Sequence, residues 1–344
     1  MAGSIKDAWK TVIDSCRYHF PFLSDPGRRS ALLLKVALVA LHLIYAGVLF
    51  LLDGDLITRT KEEPWYTGLY LLLYIAALGQ YFFTAGSSPG FVLDAMRVSD
   101  ESDALIKRFN IEQRQSASSN NGSFPITVDS SQFHRNRLDS NVSSWTKLVM
   151  SMYPPGSSVR NWTCVYCNVV QPPRSKHCQD CDKCVLQFDH HCVWLGTCIG
   201  QRNHCRFWWY ILEETTLSLW TAILYICYLE SNILKAWWRD AIMIVLLITL
   251  LFTLIFLLLL LLFHSYLIIT NQTTYELVRR RRIPYLREIP ERVHPFSNGI
   301  RLNVYNVCCP RSSLYYLEPL PRAHELEAKA RPYTCMDILS CRCC

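Results

Sequence analysis

Seven cysteines and three histidines fall within the thirty-five residues from Cys164 to Cys198. The cysteines repeat at a spacing of two intervening residues, in the pairs Cys164/Cys167, Cys178/Cys181 and Cys181/Cys184. This spacing lets two thiolates reach one tetrahedral ion from a tight turn. The segment is therefore predicted to bind zinc.

Two zinc sites with three cysteines and one histidine each would use six cysteines and two histidines. One cysteine and one histidine are left over, and we expect reactivity there. The run Asp189-His190-His191-Cys192 is the candidate. A cysteine beside a histidine and an aspartate can form a nucleophile, a base and an orienting carboxylate. The residue types alone do not say which of the two adjacent histidines is the base.

The composition indicates a membrane protein, with 51% hydrophobic and 12% aromatic residues. Apolar runs of about twenty residues are long enough to cross a bilayer as helices. Four such helices are predicted, at 31–52, 65–85, 207–229 and 241–269. The chain begins without a cleavable signal peptide, so we expect the cysteines to be reduced and cytosolic.

These patterns predict a polytopic α-helical membrane protein with four transmembrane helices and a cytosolic cysteine-rich zinc domain between the second and third. The predicted parts are a cytosolic N-terminal segment at 1–30, helices 1 and 2 within 31–85, a cytosolic loop with a Ser/Asn-rich insert at 86–160, the zinc domain at 161–206, helices 3 and 4 within 207–269, and a cytosolic C-terminal tail at 270–344. No fold is predicted for the polar stretch 99–145.

The cysteine spacing and the D-H-H-C run resemble the cysteine-rich domain of the DHHC family of protein S-acyltransferases, or palmitoyltransferases. The signature C-x2-C-x9-H-C-x2-C-x2-C-x4-D-H-H-C-x5-C-x4-N-x3-F is met from Cys164 through Asn203 to Phe207. Val193 stands where the family usually has proline. Ser88 replaces the aspartate of the family's Asp-Pro-Gly motif after the second span.

The resemblance implies a two-step transfer of a long-chain acyl group, expected to come from palmitoyl-CoA. Cys192 is then the nucleophile, His190 its base and Asp189 the group that orients the base. The acyl group passes to cysteine thiols of membrane-associated proteins. The family's pairing implies two structural zinc ions, one on Cys164, Cys167, His177 and Cys184, the other on Cys178, Cys181, His191 and Cys198.

Other positions match the family less closely. The run Thr273, Thr274, Tyr275 and Glu276 fits its T-T-x-E motif, which implies packing against the zinc domain near the active site. Asn303 is a candidate for an asparagine in a C-terminal family segment. Arg174 and Lys176 are candidates for contacts with coenzyme A phosphates. Asn203 is a candidate for the cap of the third span. A solvated or structural role is equally compatible with each of these residues. Candidates for an acyl cavity are Phe207, Tyr210, Leu217 and Trp220.

Charge predicts the orientation and the partners. Basic residues concentrate in the zinc-bearing loop and in the C-terminal tail, which places both termini and the zinc domain in the cytosol. The run 279–282 consists of four arginines and is expected to bind an anionic bilayer rather than nucleic acid. The zinc domain resembles plant members of the family, so Golgi, vacuolar or plasma membrane is expected. S-acylation is the favoured fate of the tail cysteines, at Cys335, Cys341, Cys343 and Cys344.

Two other classes of function fit parts of the pattern. A membrane-anchored zinc module acting as a ligase adaptor, similar in composition to RING-type proteins, would carry Cys/His clusters beside helices but would not need the surplus Cys192. An ion transporter is suggested by four spans, with Glu213 and Glu214 as carboxylates within an apolar run.

The predicted orientation has a direct test in the N-x-S/T sequons, which begin at Asn121, Asn141, Asn161 and Asn271. Because all four lie in segments predicted to be cytosolic, the native protein is expected to carry no N-glycan. Electrophoretic mobility before and after endoglycosidase treatment measures this. A mobility shift on treatment would show that the orientation is the inverse of the predicted one.

Overall fold

The computed structural model describes residues 26–118, 143–233, 236–309 and 315–330. The described residues form two compact units. One is helical and is drawn from 1–87, 191–199 and 203–266; the other is drawn from 88–190, 200–202 and 267–344. The predicted N-terminal segment lies almost entirely outside the described residues, as do the last four tail cysteines.

Four long helices and one short one dominate the helical unit: α1 (Pro26–Leu52), α2 (Gly54–Glu62), α3 (Pro64–Ala85), α7 (His204–Asn232) and α8 (Trp237–Thr270). Within the described ranges, three segments are long and apolar enough to cross a membrane, namely Leu32–Leu52, Pro64–Ala85 and Trp237–Thr270. They coincide with three of the four predicted spans. The chain is therefore a multi-pass membrane protein.

Helix α7 contains the predicted third span but is not among the three apolar segments. Its 29 residues give a length of roughly 43 Å at 1.5 Å per residue. It carries adjacent glutamates at 213 and 214, and Thr215, Ser218 and Thr221 are buried along it. Helix α7 is thus long enough to span a bilayer, and polar groups that face its neighbours lower its mean hydropathy.

Polar contacts join α7 to α1 and α3. Tyr70 Oη lies 3.0 Å from Thr221 Oγ1, and Trp220 Nε1 donates to Tyr66 Oη at 3.0 Å. Tyr225 donates to the carbonyl of Tyr45 at 2.9 Å. Each contact satisfies a group that would be costly to leave unpaired in an apolar environment. Two predicted cavity residues, Leu217 and Trp220, belong to this part of the helix core.

The second unit begins with α4 (Val92–Ser118), α5 (Ser144–Met150) and α6 (Val159–Trp162). Helix α4 enters the polar stretch for which no fold was predicted, and 119–142 lie outside the described residues. Trp145 on α5 is buried beside Val92 and Val149, and its Nε1 donates to the Val170 carbonyl at 2.9 Å. These helices give the small cysteine-rich domain an apolar core.

Three two-stranded sheets carry the cysteines and histidines. Strand β1 (Thr163–Cys164) pairs with β2 (Val169–Val170) and β3 (Lys176–Cys178) with β4 (Lys183–Val185), both antiparallel. Strand β5 (His190–Cys192) pairs with β6 (Thr197–Ile199). Strands this short are marginal on their own, so other interactions must stabilise them.

The Pro-Gly turn after α3 docks on the zinc domain. Leu186 donates to the carbonyl of Gly90 at 2.8 Å, and Arg202 donates to that of Pro89 at 3.1 Å. At Gly200 an added Cβ would lie 2.7 Å from Val185 Cγ1, so only glycine fits there. Ser88, which replaces the family aspartate, accepts from the Gly90 amide through its hydroxyl at 3.3 Å. The turn therefore forms without a carboxylate.

Behind α8 follow α9 (Thr274–Arg279), a 3₁₀ turn (Arg280–Arg282), α10 (Ile300–Cys308) and α11 (Ala323–Ala330). Asn303 on α10 is fully buried. It donates to the Ile269 carbonyl at 2.6 Å and to Ser297 Oγ at 2.8 Å, and accepts from the Asn298 amide at 2.8 Å. This asparagine thus ties α10 to the end of α8.

Asn303→Ala is expected to destabilise the protein, because it leaves buried donors and acceptors unpaired at a cost of about 1–3 kcal/mol. The measurement is the thermal midpoint in detergent, where 1 kcal/mol corresponds to roughly 2–4 °C for a domain of this size. Asn306→Ala, at an exposed position of the same helix, is the control. Equal midpoints for the two variants would contradict the role of Asn303.

Candidate active site

Two hairpins converge on the first predicted zinc set. The β3–β4 register places His177 opposite Cys184. In the β1–β2 turn the Cys167 amide donates to Cys164 Sγ at 3.5 Å, and Asn168 follows with a positive φ of 47°. The left-handed residue tightens the turn so that both thiols point to the same side.

The four side chains have the arrangement that a tetrahedral ion needs. Their ligand atoms all lie within 4.8 Å of one another. His177 Nδ1 is 3.3 Å from Cys167 Sγ and 3.9 Å from Cys184 Sγ, close to the edges of about 3.5–3.8 Å that zinc–sulfur and zinc–nitrogen bond lengths predict. The site therefore fits zinc, with four protein ligands and no open position.

Burial raises the pKa of the Cys184 thiol. A bound zinc ion would supply the positive charge that ionises such a thiol. His177 Nε2 lies 3.6 Å from Asp182, which is the kind of outer partner that orients a metal-bound imidazole.

The second predicted set is divided between the two units. His191 and Cys198 lie in the helical unit, where His191 Nδ1 is 3.6 Å from Cys198 Sγ. Asn203 precedes α7 without a side-chain cap and instead donates to the Cys198 carbonyl at 2.9 Å. Cys178 and Cys181 lie in the other unit, so the joint ligation of one ion stays a prediction.

Asp189 is 1% exposed and accepts three hydrogen bonds. His190 Nδ1 lies 2.6 Å from Oδ2. Thr274 donates through its amide to Oδ1 at 2.7 Å and through its hydroxyl to Oδ2 at 2.8 Å. The T-T-x-E motif thus packs on the D-H-H-C run, as the resemblance implied. A carboxylate partner at Nδ1 assigns the His190 proton to that atom and the basic lone pair to Nε2.

Cys192 lies two residues beyond His190 in strand β5, and residues at this spacing project to the same face of a strand. The thiol is buried in an apolar cluster. Tyr81 on α3 donates to the Trp194 carbonyl at 2.9 Å and so fixes the loop after the cysteine. Members of the cluster around Cys192 are Tyr81, Leu195, Ile199, Phe207, Tyr210 and Ile211. Two of the predicted cavity residues, Phe207 and Tyr210, therefore pack at Cys192.

Arg174, one of the two candidates for a coenzyme A contact, is buried in the structure. Its guanidinium donates to Glu276 at 2.7 and 2.9 Å, to Glu318 at 2.6 Å, and to Asn271 at 2.9 and 3.0 Å. Although burial opposes the charged form, the two carboxylates raise the pKa of Arg174. All five guanidinium donors are directed to protein acceptors, which favours the structural role for Arg174 over a contact with coenzyme A.

Lys176 occupies a different environment. Its Nζ lies 4.0 Å from the centre of the Tyr275 ring and 5.9 Å from that of Phe188. These are cation–π distances. The side chain is half-buried, and a phosphate contact by Lys176 stays a prediction.

Sequence reasoning missed Glu318 and Asn271. Glu318 stands alone in an apolar and proline-rich stretch at 314–321, and its side chain is 9% exposed. Burial raises its pKa although Arg174 opposes this. The only signal in the sequence is the single carboxylate of Glu318 within this apolar stretch. A glutamate is rarely buried unless it is paired with another charge.

The described residues define a class of protein, a multi-pass membrane protein with a cysteine- and histidine-rich domain whose side chains could hold a metal ion. A family model described as DHHC palmitoyltransferase matches residues 158–281. Protein S-acyltransferase 10 of Arabidopsis thaliana is 60% identical over 336 residues, which cover 98% of this chain and 97% of that protein. The chain belongs to the DHHC palmitoyltransferase family, so it acts in protein palmitoylation, and its likeness to plant members is confirmed.

More distant relatives match a smaller part of the chain. Probable protein S-acyltransferase 2 of Arabidopsis thaliana is 32% identical over 186 residues, 53% of this chain and 43% of that protein. Palmitoyltransferase ERF2 of Eremothecium gossypii is 35% identical over 159 residues, 44% of this chain and 42% of that protein.

Cys164→Ser is expected to lower the zinc content by about one ion per chain, because a site with three protein ligands and a hydroxyl binds zinc far more weakly. The measurement is metal analysis of the purified protein by mass spectrometry. Cys227→Ser, at an exposed position on α7, controls for the loss of a thiol as such. Unchanged zinc in Cys164→Ser would remove this residue from the site.

Proposed function

We propose that the chain is a protein S-acyltransferase in which Cys192 carries the acyl group between a long-chain acyl-CoA and a protein thiol. The observation that carries this proposal is the hydrogen-bonded Asp189–His190 pair, in which His190 lies two residues before Cys192 in strand β5 and Asp189 directly precedes that strand. An ordinary cysteine thiol is only a few per cent ionised at neutral pH, so the reaction needs a base. His190, with Asp189 at Nδ1, is that base.

In the first step His190 takes the thiol proton, and the Cys192 sulfur attacks the carbonyl carbon of the acyl thioester. A new carbon–sulfur bond forms to Cys192, and the bond to the coenzyme A sulfur breaks. The proton held on His190 passes to the departing thiolate. Asp189 stabilises the imidazolium that forms between these events.

In the second step the thiol of a target protein attacks the acyl–Cys192 thioester. The carbon–sulfur bond to Cys192 breaks as the bond to the target forms, and one proton moves from the target thiol to Cys192 through His190. Reactants and products are both thioesters, so neither step requires an oxidant, a reductant or an external energy source.

The surroundings of Cys192 suit a long acyl chain. The thiol is buried among aromatic and aliphatic side chains that include Phe207 and Tyr210, and each buried methylene contributes about 0.8 kcal/mol. Leu38 on α1 and Leu260 on α8 pack against the same cluster. The acyl chain is therefore proposed to lie between the helices, with its thioester at the cytosolic end.

Zinc has a structural part in this proposal. One ion would be held by Cys164, Cys167, His177 and Cys184. The family's pairing assigns the second ion to Cys178, Cys181, His191 and Cys198. An ion with four protein ligands holds the short hairpins in place and offers no position to substrate. The reacting atoms belong to the chain itself and to the two substrates.

Four membrane spans are proposed, with α7 as the third. Supporting this, α7 packs beside helices that are apolar enough to span, and Glu214 on α7 has a partner in His42 on α1 at 3.0 Å. A paired carboxylate is tolerated between membrane helices, so it needs no ion-transport role to explain it. An even number of spans keeps both termini and the zinc domain in the cytosol, on a Golgi, vacuolar or plasma membrane.

The substrates follow from this placement. Membrane-associated proteins present cytosolic cysteines at the same surface as Cys192, and the bilayer concentrates both the acyl donor and these targets. Arg281 and Arg282, which are exposed after α9, favour an anionic leaflet, whereas Arg280 is buried and donates to the carbonyls of Pro290 and Val293.

The test is incorporation of a clickable palmitoyl-CoA analogue into the purified protein. Wild type is expected to take up label that hydroxylamine releases, and Cys192→Ser is expected to lose at least about nine-tenths of it, because a hydroxyl beside the same base is a far weaker nucleophile. Cys227→Ser is the matched control and should label like wild type. Zinc content is measured in all three.

Label that is equal in Cys192→Ser and wild type would contradict Cys192 as the acyl carrier and point to direct acylation of other cysteines. No label in any zinc-replete protein would favour the ligase-adaptor class instead.

A further inference from the structure

The second unit holds a buried charge network centred on Arg174. Two sets of hydrogen bonds connect this network to Asp189. We propose that Glu318, from the C-terminal segment, is a positioning residue for the acylation step, because it completes this network and so holds Asp189 in place. The inference rests on the proposed function of the Asp189–His190 pair.

Arg174 reaches Asp189 first through the backbone. Its carbonyl accepts from the amide of Phe188 at 3.0 Å, directly before Asp189, and its own amide donates to Tyr285 Oη at 3.0 Å. Arg174 adopts φ +65°, which an arginine rarely does. Such a conformation persists where surrounding contacts enforce it, and those contacts are the side-chain bonds of the network.

The second route runs through the T-T-x-E motif. Glu276, paired with Arg174, accepts from the Thr273 amide at 3.0 Å, while Thr273 Oγ1 accepts from the Glu276 amide at 3.1 Å. This reciprocal capping box fixes the first turn of α9. Thr274 lies in that turn and donates both of its hydrogen bonds to Asp189.

Glu318 closes the network on its remaining side. Its Oε2 lies 2.6 Å from Arg174 Nη1, and the segment around it is docked by the Leu320 amide, which donates to the Met152 carbonyl at 3.2 Å, and by Gln201, which donates to the Tyr316 carbonyl. The Arg174 side chain is 1% exposed. Without Glu318, one guanidinium donor would lose its charged acceptor in a buried site, where such a loss is poorly tolerated.

The proposal is tested by single-turnover acylation of the full-length protein in detergent with palmitoyl-CoA. Glu318→Gln keeps the size of the side chain and removes its charge. The first-order rate at saturating donor is expected to fall about tenfold, since small misplacements of a catalytic group cost up to roughly 100-fold. The donor concentration for half-maximal rate should stay the same, because Glu318 does not touch the substrate.

Glu327→Gln is the matched control, since it removes the same charge at an exposed position of the same segment. A double-mutant cycle with Thr274→Val separates positioning from general stabilisation. If Glu318 acts through the Thr274–Asp189 contact, Glu318→Gln should slow the Thr274→Val enzyme by less than about twofold. A wild-type rate in Glu318→Gln would overturn the proposal, and additive effects of the two changes would overturn the Thr274 route and leave only the backbone route through Phe188.

Zinc content and thermal midpoint are measured for each variant. If Glu318→Gln loses zinc, the double-mutant cycle is repeated with Glu318→Asp, which keeps the charge but shortens the side chain. The same rate criteria then decide whether Glu318 is a positioning residue. Failure of wild type and Glu327→Gln to form a thioester at Cys192 would refute the proposed function itself. Normal acylation in both, with no effect of Glu318→Gln, would refute the positioning role alone.

Discussion

The buried carboxylate of Asp189 is the constraint on which the reactive part of the molecule depends. A carboxylate that is 1% exposed is stable only if donors replace the water it has lost. Thr274 supplies two and His190 supplies the third. The same bonds that satisfy this charge also fix the tautomer of the histidine, so the proposed catalytic pair depends on an arrangement that folding already requires.

Hairpin geometry and side chains that could hold a metal ion address a second problem, which is how strands of two or three residues, one of which begins directly after Asp189, are kept in place. The β3–β4 register places His177 and Cys184 together, and tight turns direct the paired cysteines inward. Ligands already close together lower the entropic cost of binding an ion, and a bound ion in turn stabilises hairpins that would be marginal alone. Trp145 and the helices around it supply the remaining apolar core.

The helical unit shows why mean hydropathy understates some membrane helices. Helix α7 places threonines, a serine and Glu214 toward its neighbours, where Tyr70 and His42 pair with them. A helix that packs against other helices can carry polar groups, because these neighbours supply hydrogen-bond partners that lipid lacks. The same helix brings Phe207 and Tyr210 to the cluster around Cys192, so its apolar end packs at this cysteine while its polar groups bind the bundle together.

Local pattern determined much of this protein in advance. Cysteine spacing predicted metal binding, the family resemblance implied the ligand sets and the reactive group, and apolar runs predicted four spans, three of which coincide with helices apolar enough to cross a membrane. Each of these patterns depends on residues that are near neighbours in the chain. The tertiary structure decided the role of Arg174 and the importance of Glu318, whose contact joins residues 144 positions apart. It also extended a helix to Ser118 in a stretch predicted to have no fold. A sequence records which charges and apolar groups exist, but which of them are buried together depends on contacts that only the folded chain creates.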